Sequence, residues 1–104
     1  MQKKLFKYIF IITLATLAFM SFLLSEKYIK MGNSDLENSL YEQALLNYEK
    51  ALILNPLNHS INIKKAFTYE KLLDPKNTIK EYKKAVTKKN SDTGSKAILI
   101  KIML

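Results

Sequence analysis

Hydrophobic and polar positions divide this chain into two kinds of sequence. Residues 8–24 contain no charged side chain and carry Ile9, Phe10, Ile11, Ile12, Leu14, Leu17, Phe19 and Phe22. Beyond them, aromatic and small residues recur at helical spacing among charged ones, as in amphipathic helices. A first amphipathic helix over residues 25–36 follows the apolar run with no Gly or Pro between, so one continuous helix is predicted. Glu26 and Lys30 then form a favourable four-apart pair. Ser39, Leu40, Tyr41 and Glu42 read as a capping box opening a second helix, which Asn55 and Pro56 close. Asn58 is placed to cap a third, over residues 59–72. Asp74 and Pro75 read as N-cap and first residue of a fourth, where proline's missing N–H does no harm. A polar break over residues 88–94 precedes a last apolar segment, residues 95–104.

The amphipathic part repeats itself. At an offset of 34 residues, Tyr48, Glu49, Lys50, Ala51 and Leu52 lie over Tyr82, Lys83, Lys84, Ala85 and Val86, and Leu45 falls on Ile79. Without any gap, Gly32 then falls on Ala66 and Asp35 on Tyr69. A period of this length is that of a two-helix repeat. Residues 25–58 carry Tyr28 and Gly32 on the first helix, Tyr41, Ala44, Leu45, Tyr48 and Ala51 on the second, and a closing Pro56. On these residues the chain resembles the tetratricopeptide repeat family. Residues 59–92 keep Ala66, Tyr69, Tyr82 and Ala85 but have Asn62, Thr78 and Asn90 where that family usually has an aromatic, an alanine and a proline. The first copy departs too, with Asp35 in place of an aromatic and Ser39 in place of a turn glycine.

Small residues at helix contacts let two axes approach to the short end of the roughly 8–10 Å range while large aromatics fill the flanking grooves. Gly32 is expected to face Tyr48, and Ala66 to face Tyr82. The expected repeat core is Tyr28, Gly32, Ala44, Tyr48, Ala51, Ala66, Tyr69, Tyr82 and Ala85.

The run of 17 residues, or about 20 with Leu5 and Phe6, is at the lower limit of the ~17–25 that cross a bilayer as a helix. It exceeds the roughly 7–15 residues of a signal-peptide core, lacks a good small-x-small cleavage site and has no lipobox cysteine. Residues 1–24 are therefore expected to be an uncleaved membrane anchor, a cleaved secretory signal being the alternative. Lys3, Lys4 and Lys7 before the run outnumber Lys27 and Lys30 after it, which favours a cytoplasmic amino terminus with the repeats on the extracytoplasmic side. The predicted fold is all-α, with an N-terminal transmembrane helix, two stacked helical hairpins (residues 25–58 and 59–92) and a short closing helix in residues 93–104.

Composition narrows the function. The formal net charge is +8, every basic residue is Lys, and there is no Cys and no Trp. Lysines alone offer no guanidinium fork for bidentate phosphate recognition. With His59 as the sole histidine, placed at an inter-repeat turn, neither a zinc site nor a thiol or Ser-His mechanism has its parts, and no cofactor or metal is expected. Glu37 with Glu42, or Glu49 with Glu81, read as exposed helix-surface acids on which nothing else converges. No enzymatic constellation is present, and Ser39 reads as a cap.

Residues 25–58 hold three Lys and five acids, whereas residues 59–92 hold nine Lys and four acids. Lys76, Lys80, Lys83, Lys84, Lys88 and Lys89 at that basic end are read mostly as solvent-facing, with anionic lipid or another polyanion as the attracted alternative. Nucleic acid is disfavoured, since arginines are absent and the tyrosines belong to the repeat core. The apolar residues 97–103 call for cover, either as a helix closing the second hairpin or as a self-association surface.

The resemblance implies that a protein partner lies in a groove lined by the first helices, exposing Ile29, Asn33, Ile63, Phe67 and Glu70. A subgroup of the family grips carboxylate tails there with lysines and asparagines. Only Asn33 fits that pattern, so an apolar helix or extended segment anchored on Phe67 is expected instead. The predicted function is a membrane-anchored, non-catalytic adaptor. The alternative is an exported, signal-cleaved structural or surface protein whose basic half binds anionic lipid or another polyanion.

Overall fold

The computed structural model describes residues 2–89, which form four α-helices and no strand: α1 (Gln2–Glu37), α2 (Tyr41–Leu54), α3 (His59–Lys71) and α4 (Pro75–Lys89). The segment expected to close the second hairpin, residues 93–104, lies outside the described residues.

The apolar run and the first amphipathic helix are one uninterrupted α1, about 54 Å long at 1.5 Å per residue. Its first part, residues 2–20, is exposed throughout, and the helix is long and apolar enough to cross a membrane. The two threonine hydroxyls in that part are bonded within the helix: Thr13 donates to the Ile9 carbonyl and Thr16 to that of Ile12, each at 2.8 Å. In hydrocarbon, where no water is at hand, such polar groups must find partners of this kind.

From Ser21 onward α1 packs antiparallel on α2. Ser25, Ile29 and Gly32, spaced four and three apart, form its buried stripe. The Ser21 hydroxyl donates to the Leu54 carbonyl at 2.7 Å and the Ser25 hydroxyl to that of Ala51 at 2.8 Å, joining the start of this contact to the end of α2. At the other end Asn47 donates to Asp35 at 2.6 Å. Ile29, Ala44, Tyr48, Ala51 and Ile61 make the apolar core, with Tyr28, Leu36 and Leu52 against it. α3 continues the stack on α2, and α4 folds back antiparallel on α3.

The period seen in the residues recurs in the backbone. α1 ends at Glu37 and α3 at Lys71; α2 begins at Tyr41 and α4 at Pro75, each pair 34 apart. Ser39 and Leu73, also 34 apart, are the two non-glycine residues with positive φ among those described, at 59° and 58°. Around them the same two bonds close the turn: Ser39 N–H to Leu36 O and Leu40 N–H to Asp35 O, then Leu73 N–H to Glu70 O and Asp74 N–H to Tyr69 O. These are left-handed helix C-terminal closures in which glycine would be favoured.

That closure corrects one expectation. Ser39 does not open α2 as a capping box: Leu40 occupies the N-cap position, with no side-chain cap bond, and the Ser39 hydroxyl accepts from Tyr41. A residue held at φ 59° is part of the preceding helix's closure and cannot supply the extended backbone of an N-cap. The other caps stand as read. Asn58 accepts from the Ser60 N–H at 3.1 Å, and Asp74 from the Asn77 N–H at 3.2 Å.

Candidate functional site

Two features compete for a functional reading: the face of the first helices expected to form a groove, and a polar cluster between the second hairpin and α2. The first is built on the seat of Tyr48. Its ring is fully buried, and its hydroxyl donates to Asn33 Oδ1 at 2.6 Å. A Cβ added to Gly32 would lie 2.6 Å from Tyr48 Cε1 and 2.8 Å from Cδ1, so the glycine is what admits the ring against α1. Burial, and after it the negative charge of Asp35, push the Tyr48 phenol up to about 12.

Of the expected groove residues, Ile29 is not on the surface. It is 7% exposed, on the stripe with Ser25 and Gly32 that faces α2. Its hydrophobic side chain went where burial is available, and the solvent side of this part of α1 carries Lys30, Ser34 and Glu37. Asn33 is half-buried and engaged by Tyr48. On α3, Ile63 is half-buried, Phe67 is 42% exposed and Glu70 is exposed. Residues at these four- and three-apart spacings share one face of a helix. The Lys71 ammonium stands 5.1 Å from the Phe67 ring centroid, and Glu70 accepts from the Tyr82 hydroxyl at 3.1 Å. Burial, then the Glu70 charge, raise the Tyr82 phenol above its ordinary value. Of the expected repeat core, Gly32, Ala44, Tyr48, Ala51, Ala66 and Ala85 are buried, while Tyr28, Tyr69 and Tyr82 are half-buried.

The polar cluster includes residues that the sequence pattern assigns to the surface. Glu81, read as a surface acid, is 3% exposed, and Lys65, on the facing helix, is 5% exposed. Lys65 bridges Glu49 of α2 and Glu81 of α4, the latter at 3.3 Å. Asn62, fully buried, donates to Glu81 at 2.9 Å and accepts from the Lys88 ammonium at 2.7 Å. Lys88 is therefore not simply solvent-facing, and burial lowers its pKa. Thr68 and Thr78 are buried, and their hydroxyls donate to the Lys64 and Asp74 carbonyls. The signal lay in Asn62 and Thr78, polar residues on helix faces that the 34-residue offset expects to be buried, which had to find partners. Every buried side-chain polar atom among the described residues has one.

For Glu81, burial raises the pKa, but the Asn62 bond and the Lys65 charge outweigh it and the net shift is downward. For Lys65, burial pulls down, while the Glu49 bond and the Glu81 charge carry the pKa above its ordinary value. A carboxyl whose folded pKa is depressed contributes stability that is complete above its unfolded value, about 4.3, and is lost as pH falls through the folded one. Thermal unfolding of the full chain in detergent is thus expected to shift downward on acidification below about pH 4, and Glu81→Gln to flatten that limb. Asp74, lowered by its bonds from Asn77, adds a second acid limb that remains in the Glu81→Gln chain. At the other extreme, raised Tyr48 stabilises below about pH 10 and its contribution disappears as pH rises toward about 12. An acid limb identical in wild type and Glu81→Gln would remove Glu81 from this account.

The cluster is closed by its own ion pairs and bonds, and no group of His, Cys, Asp and Glu among the described residues is arranged to hold a metal. No protein-family model matches the chain, and no curated protein matches it.

Proposed function

We propose that this chain is a single-pass, membrane-anchored adaptor of the tetratricopeptide type that holds a protein partner at the membrane without catalysing a reaction. The recurrence of helix ends, left-handed closures and closing bonds at 34 residues carries the reading. Two unrelated hairpins have no reason to share their boundaries, whereas repeat units that build extended binding surfaces do.

The apolar, exposed start of α1 supports the anchor. So does Ser21, which belongs both to the apolar run and to the hairpin contact: cleavage after residue 24 would remove its bond to Leu54. On lysine placement, the amino terminus lies in the cytoplasm and the repeats outside.

The partner surface in this reading is the Ile63, Phe67 and Glu70 face of α3, with Asn33 of α1. Phe67 is the anchor, an exposed aromatic on a firm helical base. An apolar helix or extended segment fits it better than a carboxylate tail, because the nearby cation, Lys71, already lies against the ring. The double variant Ile63→Ala, Phe67→Ala is expected to weaken capture of the partner recovered from membranes by wild type at least about tenfold, a loss typical of anchor residues. Leu46→Ala, exposed on α2, serves as the control that should leave capture intact. Undiminished capture by the double variant would move the partner surface elsewhere.

A further inference from the structure

We propose that the turn between α2 and α3 is a second membrane contact, seating Ile53 and Leu57 in the interface of the bilayer that α1 crosses. The inference rests on the anchor reading of α1. It goes beyond that reading because it makes the helical bundle stand on the leaflet rather than hang from it.

The position of the turn is set by two bonds. Ser21 and Ser25 of α1 are tied to Leu54 and Ala51, the last turn of α2, at 2.7 and 2.8 Å. Ser21 lies five residues before Glu26, the first charge after the apolar run, which is about 7 Å of helix. The end of α2 is therefore level with a stretch of α1 that is still uncharged: Ser21, Phe22, Leu23 and Leu24, the last three exposed. α2 runs antiparallel to α1, so residues 55–58 continue past Leu54 in the direction of the membrane. Any bilayer that covers Phe22 to Leu24 meets this turn as well.

The turn is made for such a place. Leu57 is 82% and Ile53 73% exposed, with no apolar cover from the described protein. The N–H groups of Asn55, Asn58 and Ile61 are bonded to Ala51, Asn55 and Asn58 carbonyls, and the Asn58 side chain takes the Ser60 N–H. These bonds lower the cost of bringing that part of the turn's backbone into an interface.

Charge points the same way. In the membrane-side half of the bundle, residues 21–28, 48–64 and 83–89, there are seven lysines (Lys27, Lys50, Lys64, Lys83, Lys84, Lys88, Lys89) against the two acids Glu26 and Glu49. In the distal half, residues 29–47 and 65–82, five lysines face six acids. Basic side chains beside an apolar insertion suit a surface of anionic headgroups. Leu40 and Leu73 at the distal turns are exposed too, but they are not continuous with the apolar run of α1.

The chain has no Trp, so single substitutions provide clean depth probes. Full-length Phe10→Trp, Leu57→Trp and Leu40→Trp chains are reconstituted in phosphatidylcholine–phosphatidylglycerol vesicles, with and without acyl chains brominated near the headgroup. All three positions are exposed, so the substitutions leave the packing intact. Phe10→Trp reports α1 alone, Leu57→Trp the turn and Leu40→Trp the distal end. Bromolipid is expected to quench Leu57→Trp emission at least about twofold, as for side chains seated about 5–10 Å into the headgroup boundary, and to leave Leu40→Trp unchanged. Quenching of Phe10→Trp with Leu57→Trp no more affected than Leu40→Trp would overturn the second contact while leaving the anchor standing. Loss of quenching at Phe10→Trp would overturn both. A blue-shifted Leu57→Trp emission without quenching would assign the turn to a protein contact, such as a second copy, and also overturn the proposal.

Discussion

Replacing Tyr48 by Ala is expected to destabilise the helical bundle by about 3–5 kcal/mol, the range for emptying a buried aromatic site. For a folded unit of this size each kcal/mol corresponds to roughly 4–8 °C, so the melting temperature of the full chain in detergent should fall by more than about 12 °C. The side chain is fully buried and central to the apolar core, touching helices on either side of α2 through Ile29 and Ile61. Tyr48→Phe separates ring from hydroxyl: it retains the packing and loses only the bond to Asn33, worth about 1 kcal/mol net. The opposite error, Gly32→Ala, adds a carbon 2.6 Å from the same ring and must push α1 and α2 apart. Because the void left by Tyr48→Ala lies beside that carbon, the double variant Gly32→Ala, Tyr48→Ala should cost less than the sum of the two. A Tyr48→Ala chain melting within a few degrees of wild type would show that this seat does not hold the first hairpin together.

Lys65→Met should cost about 3 kcal/mol, the low end of the range for removing one partner of a buried pair. Glu81 would stay 3% exposed with Lys84, at 3.6 Å, as its remaining cation, and that lysine is itself half in solvent. Adding Glu81→Gln takes away the stranded charge but still offers Asn62 an acceptor. The double variant is thus expected to recover at least about 1 kcal/mol, since uncharged occupants of such sites are tolerated far better than a lone ion. The deficit of Lys65→Met should also shrink as pH is lowered toward about 4, because a buried carboxyl that has lost its nearest cation takes up its proton earlier than the fully paired one. If the double variant were no more stable than Lys65→Met, packing of the lysine stem rather than charge would be the cause.

The four helices were legible because their signals are local. Asn58 and Asp74 cap with their own side chains, Pro75 tolerates a helix start, and nothing interrupts α1. Gly32 opposite Tyr48 was also readable, since a residue without a side chain beside a large one at a fixed offset has few other uses. Ser39 misled because the sequence S-L-Y-E satisfies the capping pattern while the backbone there is committed to closing α1. The hint was its position, where a turn glycine is usual, and Leu73 repeats it. The family pattern puts Ile29 in the groove, whereas its spacing from Ser25 and Gly32 puts it on the buried stripe. The Lys65, Glu81 and Asn62 cluster escaped because charged residues at helical spacing look alike on a surface and at a helix junction. Only the third dimension brings Glu49 to Lys65 across sixteen residues of chain.

The unbroken course of α1 has a mechanical consequence. With 3.6 residues per turn, each residue added to or removed from α1 ahead of Ser21 would turn the bundle about the helix axis by about 100° relative to the start of the helix, and no hinge absorbs an error. In the proposed anchor, thinning or thickening of the lipid, which tilts a spanning helix, would therefore swing the Phe67 face bodily, like a vane fixed to its shaft.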